Sequence, residues 1–388
     1  MMRRIGLVLG LVVVVVIGAS WWVIAHNPPP PAAGQLSVVQ AVNSDAAGFT
    51  RATTPRTFQF PVDHGPHPDY QTEWWYYTGN LDSADGRHWG YQLTFFRRGL
   101  AAHPQTRASD WATANLYMAH FALTDVAGKQ FYAFDRFSRD GAGLAGAQGD
   151  PFRVWLDSWS ASGTGTRMRL QAKQDAVAID LQLESTKPPV LQGDKGLSQK
   201  SAAAGNASYY YSLTRMSTSG TITVANKTVS VTGLSWMDRE WSTSVLGADA
   251  VGWDWFALQL GDGREIMYYQ LRLRDGTIEP FSSGMLIGTD GTPQIIKRDD
   301  VVIDVLDHWH SAHSGATYPS GWHVRIAKER LDLQVTPYIQ NQELPLTVTY
   351  WEGASRITGT SNGQPINGNG YVELTGYGEQ RPAAVQVR

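Results

Sequence analysis

Cysteine is absent from the 388 residues, which excludes a disulfide framework, a thiolate metal site and a cysteine nucleophile. Charged residues are scarce, 17% of the chain, and nearly balanced at a formal net −3, so bulk electrostatic capture of nucleic acid is excluded as well. The Gly-x-Ser-x-Gly elbow of serine hydrolases is missing: Ser235 sits in Gly233-Leu234-Ser235-Trp236-Met237, with no strand-to-helix turn to expose a nucleophile. No glycine-rich turn opens onto a helical pattern, which removes phosphate loops and dinucleotide fingerprints. No stretch of the body keeps a 3.6-residue period.

Long uncharged runs are confined to the start. After Arg3 and Arg4, Ile5 to Ala25 runs 21 residues without a charge, about the ~20 needed to cross a bilayer as a helix; Val23-x-Ala25 also satisfies a small-residue cleavage rule. Residues 1–25 therefore read as a signal peptide or transmembrane anchor, and 26–55, opening on Pro28 to Pro31, as a stiff proline-rich linker. The body is expected outside the cytoplasm, periplasmic, membrane-anchored or secreted after cleavage, with the inner membrane as a partner if the leader stays.

What is abundant is aromatic: 15 Trp, 16 Tyr and 12 Phe. Large rigid rings are either buried in a core or arrayed around an apolar ligand, so a hydrophobic small molecule is the expected guest. From Arg56 onward apolar and polar residues alternate, as in Ile179-Asp180-Leu181-Gln182-Leu183 and Leu331-Asp332-Leu333-Gln334-Val335, the period of half-buried strands. Asp85-Gly86, Asp262-Gly263, Asp275-Gly276, Asp290-Gly291 and Asn362-Gly363 supply hairpin turns between them. Blocks recur in order. Trp75-Tyr76 with Asp85-Gly86-Arg87 and Tyr91-Gln92-Leu93 matches Trp255-Phe256 with Asp262-Gly263-Arg264 and Tyr269-Gln270-Leu271, and Tyr209-Tyr210 with Arg215 matches Tyr350-Trp351 with Arg356. A colinear set of this kind predicts a duplication, with halves at 56–235 and 236–388. Two closed or nearly closed antiparallel barrels follow, two sandwiches being the alternative.

Glu73-Trp74-Trp75-Tyr76, Ala119-His120-Phe121-Ala122, Ser208-Tyr209-Tyr210-Tyr211, Trp236-Met237-Asp238-Arg239-Glu240-Trp241, Gly252-Trp253-Asp254-Trp255-Phe256 and Tyr350-Trp351-Glu352-Gly353 together resemble one lipocalin-like family. It contains carotenoid 1,2-hydratase (hydroxyneurosporene synthase) and exported AttH proteins. The resemblance implies an all-β fold of two tandem lipocalin-like barrels, a lipid or isoprenoid-type ligand, hydratase-like chemistry without a cofactor or metal and, by family analogy, an ABC-type transporter as partner. The sequence departs from the hydratase members at one point. Where they carry a histidine two residues before a tryptophan, this chain has Arg239, and the counterpart of their second acid, within Tyr268-Tyr269-Gln270, holds none.

Adding water to an unactivated double bond needs a proton donor, a positioned water and aromatic faces for the cation between the two steps. Candidate acids are those set among tryptophans: Glu73, Asp238, Glu240 and Asp254, with His120 as a candidate base. The alternative for each acid is that alternation turns the charge outward while its tryptophans point in. Trp74, Tyr76, Trp241, Trp253, Trp255 and Trp351 are the candidate ligand-binding walls. Arg239 either grips a ligand anion or pairs with Asp238 or Glu240. His308, His310 and His313 form an HxHxxH string without a positioned carboxylate, so a solvated cluster is expected there rather than a metal. An enzyme and a non-catalytic carrier of the same apolar ligand both fit, and what separates them is whether an ionisable side chain faces the ligand.

Overall fold

The computed structural model describes residues 46–378, except 105–108 and 245; the leader segment and most of the proline-rich linker lie outside the described residues. Among these there is no α-helix, and no helix is long and apolar enough to cross a membrane. The alternating runs form strands as the period requires. β1 (Thr72–Ser83), β2 (His88–Gly99), β3 (Asn115–Asp125) and β4 (Gln130–Arg139) make a meander, followed by five shorter strands, β5 (Ala145–Gln148), β6 (Phe152–Leu156), β7 (Trp159–Thr164), β8 (Arg167–Gln174) and β9 (Val177–Ser185). Two short strands, β10 (Val190–Leu191) and β11 (Leu197–Gln199), precede the long hairpin of β12 (Ala207–Val224) and β13 (Lys227–Ser242). Its two turn residues, Ala225 and Asn226, both take positive φ, 49° and 63°, which matches the right-handed strand twist.

The chain then passes to a second sheet. β14 (Ala250–Leu260), β15 (Glu265–Leu273), β16 (Ser283–Ile287) and β17 (Pro293–Lys297) form another four-strand meander. It is followed by β18 (Val302–Val305), a small separate hairpin of β19 (His308–His310) and β20 (Thr317–Pro319), then β21 (Trp322–Ile326), β22 (Leu331–Pro337), β23 (Glu343–Pro345), β24 (Thr349–Ser361) and β25 (Gln364–Leu374).

The strand orders repeat. The first sheet reads β4-β3-β2-β1-β13-β12-β9-β8-β7-β6-β5 and the second β17-β16-β15-β14-β25-β24-β22-β21-β18: in each, a meander closes by pairing its first strand with the last strand of the unit. All pairs are antiparallel. Each sheet curls into a nearly closed, lipocalin-like barrel around its own apolar core, the first holding Trp75, Tyr77, Trp159 and Trp241, the second Phe256, Trp322 and Trp351.

A third apolar cluster belongs to neither interior. It joins Tyr76, Tyr210 and Trp236 of the first sheet to Trp255, Ala257, Met267, Ala354 and Tyr371 of the second. The sheets meet here outer face to outer face, β1 and β2 lying against β25 and β24. A Cβ on Gly90 would stand 2.3 Å from the Ala354 Cβ, so the missing side chain permits the approach. Asn80 Nδ2 donates to Gly370 O at 3.0 Å, Thr124 Oγ1 to Gln342 Oε1 at 2.8 Å, and Lys187 Nζ to Glu265 Oε2 at 2.8 Å across the join.

Candidate active site between the two sheets

The site follows from parity. Successive strand residues face opposite sides, and on β13 Trp236, Asp238 and Glu240 share the outer face while Met237, Arg239 and Trp241 fill the first barrel. Direct cross-strand partners share a face: Tyr76 sits opposite Asp238 and Trp74 opposite Glu240. In the second sheet Trp255 sits opposite Glu373, and Glu373 opposite Glu352. The two outer faces enclose a hollow lined by Trp74, Tyr76, Phe96, Met118, His120, Lys200, Tyr210, Asp238, Glu240, Trp253, Trp255, Tyr269, Tyr350 and Glu373, among others. As a cavity it measures about 110 Å³. That is below the roughly 300–1,000 Å³ of typical drug-sized ligand pockets. Trp74, Phe96, Met118, Trp253 and Glu373 are only half-buried and mark the opening.

Most of the predicted residues are gathered there: Asp238, Glu240, His120, Trp74, Tyr76, Trp253 and Trp255 all line the hollow. Five do not. Glu73, fully buried in the first barrel, pairs with both Arg97 and Arg239 and accepts from the His67 amide at 3.0 Å. Burial alone would raise its carboxyl, but the two guanidiniums outweigh burial and hold it well below the usual carboxylate range. Arg239 is also fully buried, donating to the carbonyls of Gly65 at 2.5 Å and Trp74 at 3.3 Å and lying 4.0 Å from the centre of the Trp75 ring. It grips its own chain, pairing with Glu73 and with neither Asp238 nor Glu240. Trp241 stacks on His67 at 3.7 Å inside the same barrel. Asp254 faces the second interior, held by Arg272 at 3.0 Å, Gln270 at 2.8 Å and Tyr377 at 2.9 Å, and Trp351 lies beside Trp322 in that core. Each of these five is one residue out of phase with the site.

The carboxyls that do reach the hollow are electrostatically unusual. Burial pushes Asp238 up to about 7, against hydrogen bonds from Ser212, Tyr210 and Trp236; Ser212 Oγ donates at 2.5 Å and Trp236 Nε1 at 2.6 Å, and Tyr210 donates to the other oxygen. Glu373, which the sequence reading missed, is likewise pushed up to about 7 by burial, helped by the charges of Asp238 and Glu240 and opposed by the Trp253 indole, which donates to Oε2 at 3.0 Å. Glu352, also missed, is fully buried and raised well above the carboxylate range by burial and by the Glu373 charge; it accepts from Tyr76 Oη at 2.8 Å. Glu240 accepts from Ser208 and pairs with Lys200 at 3.3 Å. Burial would depress Lys200, but Glu240 and Tyr269 outweigh it and hold the ammonium charged. Burial lowers His120 to about 4, so its ring is neutral at neutral pH. The signal for the missed pair was present in Tyr350-Trp351-Glu352 and Tyr371-Val372-Glu373: the conspicuous tryptophan faces one way, its neighbours the other.

Among the described residues no group of three or more His, Asp or Glu is placed to hold a metal; His308 and His310 lie exposed on the small hairpin.

A family model described as AttH-like matches residues 51–377. The crystal structure of an AttH protein of Nitrosomonas europaea is 34% identical, with a TM-score of 0.75 over 85% of this chain and 100% of that one. Kievitone hydratase of Nectria haematococca shares the fold at 15% identity, with a TM-score of 0.63 over 84% and 96% of the two chains. A dehydratase of Emericella nidulans, asqC, is 23% identical over 54% of this chain; the match spans 57%, little more than half, of that relative's length.

Proposed function

The chain belongs to the AttH-like family, and from that footing we propose that it adds water to, or removes it from, an uncharged hydrophobic molecule held between the two barrels. The observation that carries this reading is the pair Asp238 and Glu373, one from each sheet, both poised near neutrality in an aromatic wall. Two interacting carboxyls with midpoints near 7 titrate as a coupled pair, so near neutral pH one supplies a proton while the other accepts one. Three donors surround Asp238 and favour its ionised form; one surrounds Glu373, which is also the more open to the hollow. Glu373 is therefore the acid and Asp238 the base. In hydration, the Glu373 proton bonds to one alkene carbon, the π electrons forming the C–H bond. The positive charge left on the other carbon faces the rings of Trp74, Tyr76, Trp253 and Trp255. Water adds there and its proton passes to Asp238. Dehydration is the reverse: protonated Asp238 gives its proton to the departing hydroxyl, which leaves as water, and the Glu373 carboxylate takes the proton from the neighbouring carbon as the double bond forms.

The hydratase and dehydratase names among its relatives support the reaction class. The ionisable lining favours an enzyme over a carrier. Location outside the cytoplasm remains our proposal from Arg3, Arg4 and the uncharged run after them, as does a lipid or isoprenoid-type substrate, which the aromatic lining of the hollow suits.

The test starts by extracting the purified full chain into organic solvent, identifying retained molecules by mass spectrometry, and incubating those and a panel of apolar alkenes and alcohols in ¹⁸O-labelled water. Label entering product, with Glu373→Gln and Asp238→Asn each slowing it by about 10²-fold or more while the ligand still binds, is the expected result. A retained ligand that never exchanges oxygen would assign the protein to transport instead.

A further inference from the structure

His120 is fully buried on β3, lines the hollow, and its Nε2 has no hydrogen-bond partner among the described residues. Its other nitrogen, Nδ1, lies 2.7 Å from Tyr350 Oη on β24, so the contact spans the two sheets. Leaving a buried polar atom unpaired costs roughly 1–3 kcal/mol, and such an atom in the wall of an apolar hollow is a place for a ligand to make the missing bond. The direction of that bond can be read off its surroundings. Tyr350 Oη accepts from Gln92 Nε2 at 3.5 Å, and the phenol keeps its proton because burial, then the Glu352 charge, raises it far above its ordinary value. Among the described residues the acceptor in contact with its hydrogen is His120 Nδ1. The imidazole must then carry its own proton on Nε2, an unpaired donor on a residue that lines the hollow.

We propose that His120 Nε2–H is a docking point for an uncharged oxygen acceptor, so that the ligand is a hydrophobic molecule bearing a carbonyl or hydroxyl group, and that Tyr350 is the positioning residue that fixes the ring's tautomer. Carboxylates are disfavoured, because Asp238, Glu240 and Glu373 line this hollow and the lining cation Lys200 is already paired with Glu240, so an added anion would meet acid groups in low dielectric. A ligand of pure hydrocarbon leaves the donor unpaired and binds less well for that reason. Phe96, whose ring centre is 5.4 Å from that of His120 in an edge-on arrangement, supplies the apolar surface beside the oxygen. The inference deepens the reading of this hollow as the substrate site, but its test involves no turnover.

The test is displacement of the uncharged fluorophore N-phenyl-1-naphthylamine from the full chain by four matched compounds: acetophenone, 1-phenylethanol, ethylbenzene and benzoate. Acetophenone and 1-phenylethanol are expected to displace the probe at concentrations roughly fivefold to tenfold lower than ethylbenzene, as one hydrogen bond allows, and benzoate to fail. In His120→Phe, which keeps an aromatic ring, the ketone's advantage should fall to about one. In Tyr350→Phe, which frees the ring to change tautomer, the ketone should lose more of its advantage than the alcohol. The ¹⁵N resonance of His120 Nε2 should move on adding acetophenone to the native chain, a readout that needs no variant. Equal displacement by ketone and hydrocarbon, a ketone advantage unchanged in His120→Phe, or a still ¹⁵N resonance would overturn the proposal. If Glu373→Gln abolishes turnover yet keeps the ketone preference, both stand; if no turnover is ever found but the preference holds, only the catalytic reading falls.

Discussion

Near the hollow, single side chains trade stability for a usable protonation state. Asp238 binds its proton more tightly in the fold, at about 7, than the ordinary 3.8. The folded state therefore holds more protons than the unfolded one between those values, and stability should fall as pH rises from about 4 to 7. The ceiling is on the order of 4 kcal/mol. His120 has the opposite sign: its midpoint is lowered to about 4 from 6.5, so its contribution is present above 6.5 and lost as pH falls toward 4. Urea titrations across pH 4 to 8 should show Asp238→Asn flattening the alkaline loss and His120→Phe the acid loss, and parallel curves for variant and native chain would contradict the assignments. Arg239 is a separate case. Removing it leaves Glu73 buried with only Arg97 as a guanidinium partner and strips donors from the His64 to Gly65 carbonyls. Arg239→Ala should cost about 3–5 kcal/mol, read as a large drop in Tm, with probe affinity little changed where the variant still folds.

At the scale of the strand, one-residue parity decides which aromatic serves ligand and which serves core. Trp351 and Trp74 make the contrast. Trp351 is fully buried beside Trp322 in the second barrel, so Trp351→Ala should cost about 3–5 kcal/mol through the cavity it leaves. Trp74 is half-buried at the mouth of the hollow; Trp74→Ala should weaken probe binding severalfold at small cost in thermal stability. Calorimetry and fluorescence titration on the two variants give both numbers, and a reversed pattern would show that β1 or β24 has been placed in the wrong phase.

For the whole molecule, the hollow exists because two repeated sheets cover each other's outer faces. Neither half encloses it alone: Asp238 comes from β13 and Glu373 from β25, and the apolar cluster between them draws on both. A fragment ending near residue 248 should expose Tyr76, Tyr210 and Trp236, bind apolar dye nonspecifically, and aggregate at lower concentration than the full chain. A monomeric fragment with a sharp melting transition and intact probe affinity would locate the site within one barrel instead.

How far the sequence went is visible in particular residues. The alternation of Ile179 to Leu183 and the glycine turns specified strands and hairpins, because period and turn chemistry are local, and the recurring aromatic blocks foretold the repeated strand order. The same alternation says which residues of a strand share a face, yet the motifs led to candidates on both faces, Asp238 and Glu240 together with Trp241, and Trp253 and Trp255 together with Asp254. The outward-facing reading of those acids was geometrically right for the first barrel, yet outward there means inward to the join. Which face of a sheet is covered depends on a partner more than a hundred residues away, and no short-range pattern records it. Composition and motif thus determined an all-β, aromatic-rich, duplicated chain of this family. Only tertiary packing decided that the outer faces meet, because burying an acid, and so raising it to about 7, requires the distant sheet that takes it out of water.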